Sequence, residues 1–375
     1  MSPGGEHDPG PRILVLAPNW LGDVVMATPM LNLLRSSVFG ARAGRARLAL
    51  AVRRRWSPLF SRDPRLDELL MVERTGRHSG VRGLVRLASD LHGMNAGGIV
   101  LGPPSWRAGA AAWLARIPQR VGYRTDARGM FLNAGLDFPG RGRGHFSRQL
   151  LALGEELVRR LGGRPGSQEE ALAAPMLPGL VPEDPPGLKE GPPVWVMGVG
   201  TTYGNAKMWP RSRTEEFLTA AVDRFHVRIV LLGDGRGFGR RPGEAAGVPL
   251  PPVRGDLAGG PGIVDMIGRT TLPQVAGILG GARVFVGNDS GLMHLAAALG
   301  TPTVGIFGSS DPHWTAPLGP WTQVVAPEGF PCSPCFRPTC NQPRFCLDAL
   351  TADRVLSAAC DVMAAAGDSP VEGKA

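Results

Sequence analysis

The sequence predicts an α/β chain built as two Rossmann-like halves, and three observations carry that expectation. Short, nearly continuous apolar runs alternate with helix-length segments, the pattern of parallel strands covered by helices on both faces. A stretch crowded with proline and glycine, residues 174–193, divides the series in two as an interdomain linker does. Finally, the segment Val284-Phe-Val-Gly-Asn-Asp-Ser-Gly-Leu-Met-His294 passes from a strand through a turn into a helix. It sets a carboxylate, a hydroxyl and an imidazole where a helix presents unpaired N–H groups, an arrangement that binds phosphate.

The first half opens on an apolar strand at residues 12–17, then a loop, Pro18-Asn-Trp-Leu-Gly-Asp23, and a helix over about 24–35. Further strands are expected at 47–52, 69–72 and 98–101, with a helix over about 146–161. The second half repeats the alternation: strand 194–197, helix 213–225, strand 228–232, helix 272–279, strand 284–286, helix 292–299 and strand 303–307. No repeat at solenoid period is present. The expected domains are residues 11–180 and 192–350, followed by a C-terminal helix and disordered tail over 351–375. Ligand is expected in the cleft between the halves.

A chain of 375 residues is long enough for two cores. No apolar run approaches the ~20 residues that span a bilayer, and residues 1–10 lack the basic-then-apolar pattern of a secretory signal, so a cytoplasmic location is expected. The net charge of +9 points to anionic partners. Arginine supplies 38 of the basic residues and lysine only three (Lys189, Lys207, Lys374). Residues 35–62 hold eight arginines and no acid, and residues 116–148 hold seven arginines against two aspartates, so the first half carries a basic face. No helix-turn-helix or aromatic-interleaved pattern accompanies it, and a nucleic-acid partner is not expected.

Several residues could carry chemistry. Asp23, just past the first strand, could act as a general base or simply complement a helix dipole. Lys207 lies in the loop Gly200-Thr-Thr-Tyr-Gly-Asn-Ala-Lys207, where a compact ammonium suits a diphosphate oxygen, though an exposed lysine is the plainer alternative. Thr201 and Thr202 could add hydroxyl contacts. Asp289 could cap a helix or meet a ligand, Gly287 and Gly291 could let the backbone approach it, and Ser290 is the expected N-cap. His294, one turn after Ser290, could face the same ligand or be structural. The glycine run 233–239 does not match a dinucleotide fingerprint and reads as a loop. Cys332, Cys335, Cys340 and Cys346 are close enough in sequence for packing thiols, a structural zinc clip or, least in keeping with a cytoplasmic protein, disulfides.

The motifs Pro18-Asn-Trp-Leu-Gly-Asp-Val-Val-Met-Ala-Thr-Pro29, Tyr203-Gly-Asn-Ala-Lys-Met-Trp-Pro210 and Asn288-Asp-Ser-Gly-Leu-Met-His294 resemble those of the ADP-heptose:lipopolysaccharide heptosyltransferases of glycosyltransferase family nine. The segment from Cys332 to Phe336 is most similar to the heptosyltransferase II form, and the resemblance covers roughly residues 12–360. It implies a GT-B fold, two Rossmann-like domains with parallel sheets facing an interdomain cleft, acceptor on the first and nucleotide sugar on the second. It implies an inverting transferase that needs no metal in its site, taking heptose from ADP-L-glycero-D-manno-heptose to the anionic lipopolysaccharide inner core at the inner-membrane surface. By matching position, Asp23 would be the catalytic base and Lys207 would hold the donor phosphate. Asp289 would bind heptose hydroxyls, and Ser290, Gly291, Leu292 and His294 would line the pyrophosphate. Asn19, Arg120, Arg124 and Arg128 are the acceptor-side candidates. The alternatives are a GT-B enzyme with another nucleotide sugar, a sugar-nucleotide epimerase, or a basic nucleic-acid-binding protein with a four-cysteine zinc knuckle.

Overall fold

The computed structural model describes residues 10–40, 45–184, 188, 191–234 and 261–368. Most of the glycine run 233–239 and of the glycine- and proline-rich segment after it, together with Lys189, Lys374 and the tail beyond 368, lies outside those residues. The chain divides into two compact units, Met1–Leu180 and Val181–Ala375.

The first unit is a six-stranded parallel sheet of β1 (Arg12–Leu16), β2 (Arg47–Arg53), β3 (Glu68–Val72), β4 (Gly98–Leu101), β5 (Gln119–Tyr123) and β6 (Ala134–Leu136), in the order β3-β2-β1-β4-β5-β6. Its helices are α1 (Leu21–Met26), α2 (Thr28–Ser36), α3 (Gly80–Gly93), α4 (Trp106–Leu114), α5 (Phe146–Arg160) and α6 (Gln168–Ala173). β1 and β4 are buried throughout their apolar residues, Ile13, Leu14, Ile99, Val100 and Leu101 all at 0% exposure, because helices cover both faces of the sheet. On one face, Leu84, Leu87, Ala88 and Leu91 of α3 and Ala108, Ala110, Ala111 and Ala112 of α4 close over Leu14, Leu16, Ala51, Ile99 and Leu101. On the other, α2 packs against α5, where Gly154 leaves room for Met30: a Cβ there would stand 2.9 Å from its side chain.

The single helix expected over residues 24–35 is two. α1 ends at Met26 and α2 begins at Thr28, around Ala27. Pro29 has no N–H to give the carbonyl of Val25, and the Thr28 hydroxyl donates to that carbonyl instead at 2.8 Å. α1 also starts earlier than expected, so Asp23 stands in the first turn of a helix rather than in a loop.

The second unit repeats the topology. Strands β7 (Val194–Gly198), β8 (Arg228–Leu232), β9 (Gly262–Asp265), β10 (Val284–Asn288), β11 (Thr303–Ile306) and β12 (Thr322–Val325) run parallel in the order β12-β11-β10-β7-β8-β9. Its helices are α7 (Arg211–Phe225), α8 (Leu272–Gly280), α9 (Gly291–Ala298), α10 (Pro312–Thr315) and α11 (Ala352–Ala365). α11 belongs to the unit's core: Val355, Leu356, Ala359 and Met363 pack with Phe217, Ala221, Val304 and Ile306. Strand order reverses between β1 and β4 in the first sheet and between β7 and β10 in the second. At such a point two neighbouring loops leave in opposite directions and open a crevice beyond the strands' carboxyl ends.

Among the described residues no helix is long and apolar enough to cross a membrane.

Candidate active site

In the second unit, the crevice at the β7/β10 reversal gathers the residues the sequence singled out. The loop after β7 carries Lys207, and the turn after β10 carries Asp289, whose Oδ2 meets the Lys207 Nζ at 2.5 Å. The carboxylate side chain is 5% exposed and the lysine side chain 18%, so the pair is largely withdrawn from water. Lys207 also lies 5.1 Å from the centre of the Tyr203 ring, a cation–π distance. His294, 4% exposed, holds its Nε2 3.9 Å from the other carboxylate oxygen of Asp289. Asn288 fixes the turn from behind: its Oδ1 accepts the Trp209 N–H at 2.9 Å, and the Trp209 indole donates to the carbonyl of Leu350 at 3.0 Å. Asp289 is therefore an ion-pair partner rather than a helix cap.

Ser290 occupies the N-cap position of α9, yet its hydroxyl makes no capping hydrogen bond. The first intrahelical bond at this end is His294 N–H to the Ser290 carbonyl, at 3.4 Å. The N–H groups of Gly291, Leu292 and Met293 precede it and have no helical carbonyl to reach. Ser290, Gly291 and Leu292 are half-buried, open to a ligand on one side. An ammonium has three donors, and Asp289 occupies one, leaving Lys207 able to meet an anion lying at this helix end.

Two residues behave differently from expectation. Gly287 does not bend the chain toward a ligand; it is strand backbone, and a Cβ on it would stand 2.8 Å from the Phe285 ring, so its role is packing. Thr201 spends its hydroxyl inside its own loop, accepting from Tyr203 and Gly204 N–H at 3.2 and 3.3 Å and donating to the Gly204 carbonyl at 3.3 Å. Thr202 is exposed.

The loop bearing the cysteines braces the lysine loop. Tyr203 donates its hydroxyl to the Phe336 carbonyl at 2.6 Å, and the Ala206 N–H reaches the Pro338 carbonyl at 3.1 Å. None of the five cysteines is joined in a disulfide. Cys332, Cys335, Cys340 and Cys346 line one cavity with Ser309 and Arg344. Burial, and then the neighbouring Cys340, Cys332 and Cys335, push the Cys346 thiol up to about 11. Among the described residues no group of three or more histidine, cysteine or acidic side chains is arranged to hold a metal ion.

In the first unit the crevice at the β1/β4 reversal is basic. Asn19, Arg53, Arg74, His78, Ser105 and Arg107 line it, over Leu16, Ala51 and Val72. Asn19 accepts from Arg53 at 3.0 Å and from Arg74 at 3.4 Å. Nearby acids are engaged elsewhere, Glu73 with Arg54 at 2.5 Å and Asp90 with Arg77 and His78 at 2.7 and 2.8 Å. Burial, and then the like charges of Arg55 and Arg74, bring Arg53 down to about 10. Burial and Arg74 lower Arg107 as well. Crowded cations such as these are stabilised by a bound anion. Asp23 is half-buried in the first turn of α1, which leaves β1 at the same reversal.

Arg53, Arg74 and Arg107 escaped the sequence reading. Their one local signal is position, at or shortly after the carboxyl ends of β2, β3 and β4. The arginines chosen in their place are otherwise employed. Arg128 is 1% exposed and donates to the carbonyls of Tyr123 and Pro103, with burial bringing it down to about 10. It is an internal brace, not part of a surface for an acceptor. Arg120 donates to the carbonyls of Phe131 and Ile117 at 2.7 and 2.6 Å. Arg124 is exposed and pairs with Asp137 at 3.1 Å.

Two doubly wound units, each with a crevice at its switch point, are the architecture of the GT-B class. The profile of glycosyltransferase family 9 (heptosyltransferase) matches residues 84–345, and the chain belongs to that family. It is 25% identical to the lipopolysaccharide heptosyltransferase 2 of Escherichia coli (strain K12) over 321 residues, 84% of this chain and 87% of that one. A solved E. coli ADP-heptose lps heptosyltransferase II superposes with a TM-score of 0.68 at 22% identity, covering 95% of this chain and 99% of the other. An E. coli heptosyltransferase solved with ADP gives 0.61 at 19% identity, over 92% and 98%.

Proposed function

We propose that this heptosyltransferase moves heptose from ADP-L-glycero-D-manno-heptose to an anionic inner-core acceptor of lipopolysaccharide, inverting the anomeric centre. The observation that carries the donor half is the Lys207–Asp289 pair beside the open N-terminus of α9. A diphosphate lying there meets the lysine and the N–H groups of Gly291 and Leu292, while Asp289 and His294 face sugar and phosphate oxygens. The family names of the relatives, heptosyltransferases of lipopolysaccharide and lipooligosaccharide, support the sugar and the acceptor.

Chemically, Asp23 takes the proton of the acceptor hydroxyl as its oxygen forms the bond to the anomeric carbon. The bond from that carbon to the diphosphate breaks, and ADP leaves with the electron pair. Lys207 and the helix N–H groups stabilise the charge that develops on the departing oxygen, already aimed before reaction begins. The lysine and the helix N–H groups support departure of the diphosphate without a metal ion. On the acceptor, Arg53, Arg74 and Arg107 with Asn19 neutralise an acidic group, and Arg124 adds charge at the surface.

Purified protein with ADP-heptose and a soluble heptose-bearing acceptor should release ADP and lengthen the acceptor by one heptose, with both products absent when acceptor is omitted. Donor turnover without acceptor would instead favour an epimerase, and no turnover with ADP-heptose but turnover with a UDP- or GDP-sugar would favour a different donor.

A further inference from the structure

Behind Lys207 stands a second layer of contacts that the proposed transfer chemistry leaves unused. The Lys207 Nζ lies over the Tyr203 ring, 5.1 Å from its centre, and the Tyr203 hydroxyl donates to the Phe336 carbonyl at 2.6 Å. One side chain thus touches the lysine with its face and the cysteine-bearing loop with its tip. Phe336 is itself pinned: its N–H donates to the Ser309 carbonyl at 2.6 Å, and its ring meets Trp314 edge-on at 5.8 Å. Its φ of +52° is left-handed, a conformation that a phenylalanine keeps only where its surroundings hold it. Ser333 donates to the Gly308 carbonyl at 2.7 Å, so the loop is fastened twice to the segment that follows β11. Gly204 completes the fit. Its φ is +151°, and a Cβ on it would stand 2.2 Å from the Pro338 carbonyl, so glycine lets the two loops meet this closely.

From these contacts we infer that Tyr203 is a positioning residue for the donor, setting the direction in which Lys207 presents its ammonium to the diphosphate. A lysine is a point charge on a flexible four-carbon stem. Held by Asp289 alone, at 2.5 Å, its ammonium can swivel about that one contact. The ring face adds a second attraction from another side, and the hydroxyl's bond to Phe336 keeps the ring from turning away. With two directions fixed, the remaining N–H donors of the ammonium are aimed before a ligand arrives. The segment from Cys332 to Cys346 thereby helps to set donor affinity, although none of its side chains enters the proposed reaction. This inference rests on the proposed role of Lys207 toward a diphosphate.

The test is calorimetric titration of the full chain with ADP, alongside transfer kinetics at varied ADP-heptose. Tyr203→Phe keeps the ring and removes its tie, and should weaken ADP about fivefold, the worth of one hydrogen bond. Tyr203→Leu removes both and should weaken it on the order of 20-fold, since a cation–π contact at a partly exposed site adds about fourfold. The same losses should appear in kcat/KM for donor, with acceptor KM unchanged. In a Lys207→Met background either substitution should change ADP affinity by less than about twofold, because Tyr203 acts through the lysine. Equal losses with and without the lysine would overturn the inference, since Tyr203 would then touch the ligand itself or merely hold its own loop. Wild-type ADP affinity in Tyr203→Leu, with Lys207→Met impaired, would overturn it as well and leave the donor reading standing. If Lys207→Met binds ADP like the wild type, the donor reading of this crevice falls and takes the inference with it.

Discussion

The two units share one strand order but set opposite electrostatics at the same place. Beyond the first sheet, Arg53, Arg74 and Arg107 line one crevice, and burial costs Arg53 and Arg107 part of their preference for charge. Beyond the second sheet, Lys207 is matched to Asp289, next to the N-terminus of α9, which has no side-chain cap. The first crevice is thus lined by cations, whereas in the second the lysine already has a carboxylate partner. A doubly wound sheet fixes where a ligand goes, whereas the residues at the strand ends fix its charge. One topology used twice can therefore, in the proposed reaction, serve an anionic acceptor and a sugar nucleotide.

Substitutions can break this contrast in order of size. Asp23→Asn should lower kcat on the order of 10²- to 10⁴-fold, the range of general-base contributions, while ADP-heptose affinity by calorimetry stays within about twofold. Equal losses in kcat and donor affinity would show that Asp23 is structural. Lys207→Met should cost on the order of 10²- to 10³-fold in kcat/KM for donor. It should also destabilise the fold by about 3 kcal/mol in urea unfolding, since Asp289 would be left buried without its partner. Adding Asp289→Asn to that variant should restore much of the stability and none of the activity. A more modest effect is expected on the other unit: Arg53→Ala or Arg107→Ala should raise acceptor KM about tenfold, the worth of one charged hydrogen bond, with donor KM unchanged. If donor KM moves instead, the division of labour between the crevices is wrong. Smallest, Thr28→Val should cost about 1 kcal/mol of stability by removing the hydroxyl's bond to the Val25 carbonyl at the α1–α2 break, read as a shift in the urea midpoint.

Much of the fold was legible because burial on both faces leaves a local trace. Residues such as Ile13, Leu14, Val230 and Phe285 form unbroken apolar runs, and their strands could be placed to within one or two residues. β5, β6, β9 and β12 were not placed. Gln119-Arg-Val-Gly-Tyr123 and Thr322-Gln-Val-Val325 mix polar with apolar residues and lie at or next to sheet edges, where one neighbour or one cover is missing. The donor-side residues were singled out because motif and position coincided there. The basic crevice was not, since its arginines come from the end of β2, the segment after β3 and the start of α4, and no short stretch of sequence contains them together.

By itself, the sequence determined most of the strands, the two-unit division, and the identities of Asp23, Lys207, Asp289 and His294 as candidates. Tertiary structure alone decided which charges are paired and which are left wanting. Lys207 meets Asp289 across 82 residues, Arg128 disappears into a set of carbonyls, and Arg53, Arg74 and Arg107 come together from the ends of three strands. Secondary structure follows from the free energy of burying neighbouring side chains, which a short window contains. Ion pairing and desolvation depend on distances and on exclusion of water, and those exist only once the sheet has brought its strand ends into one place.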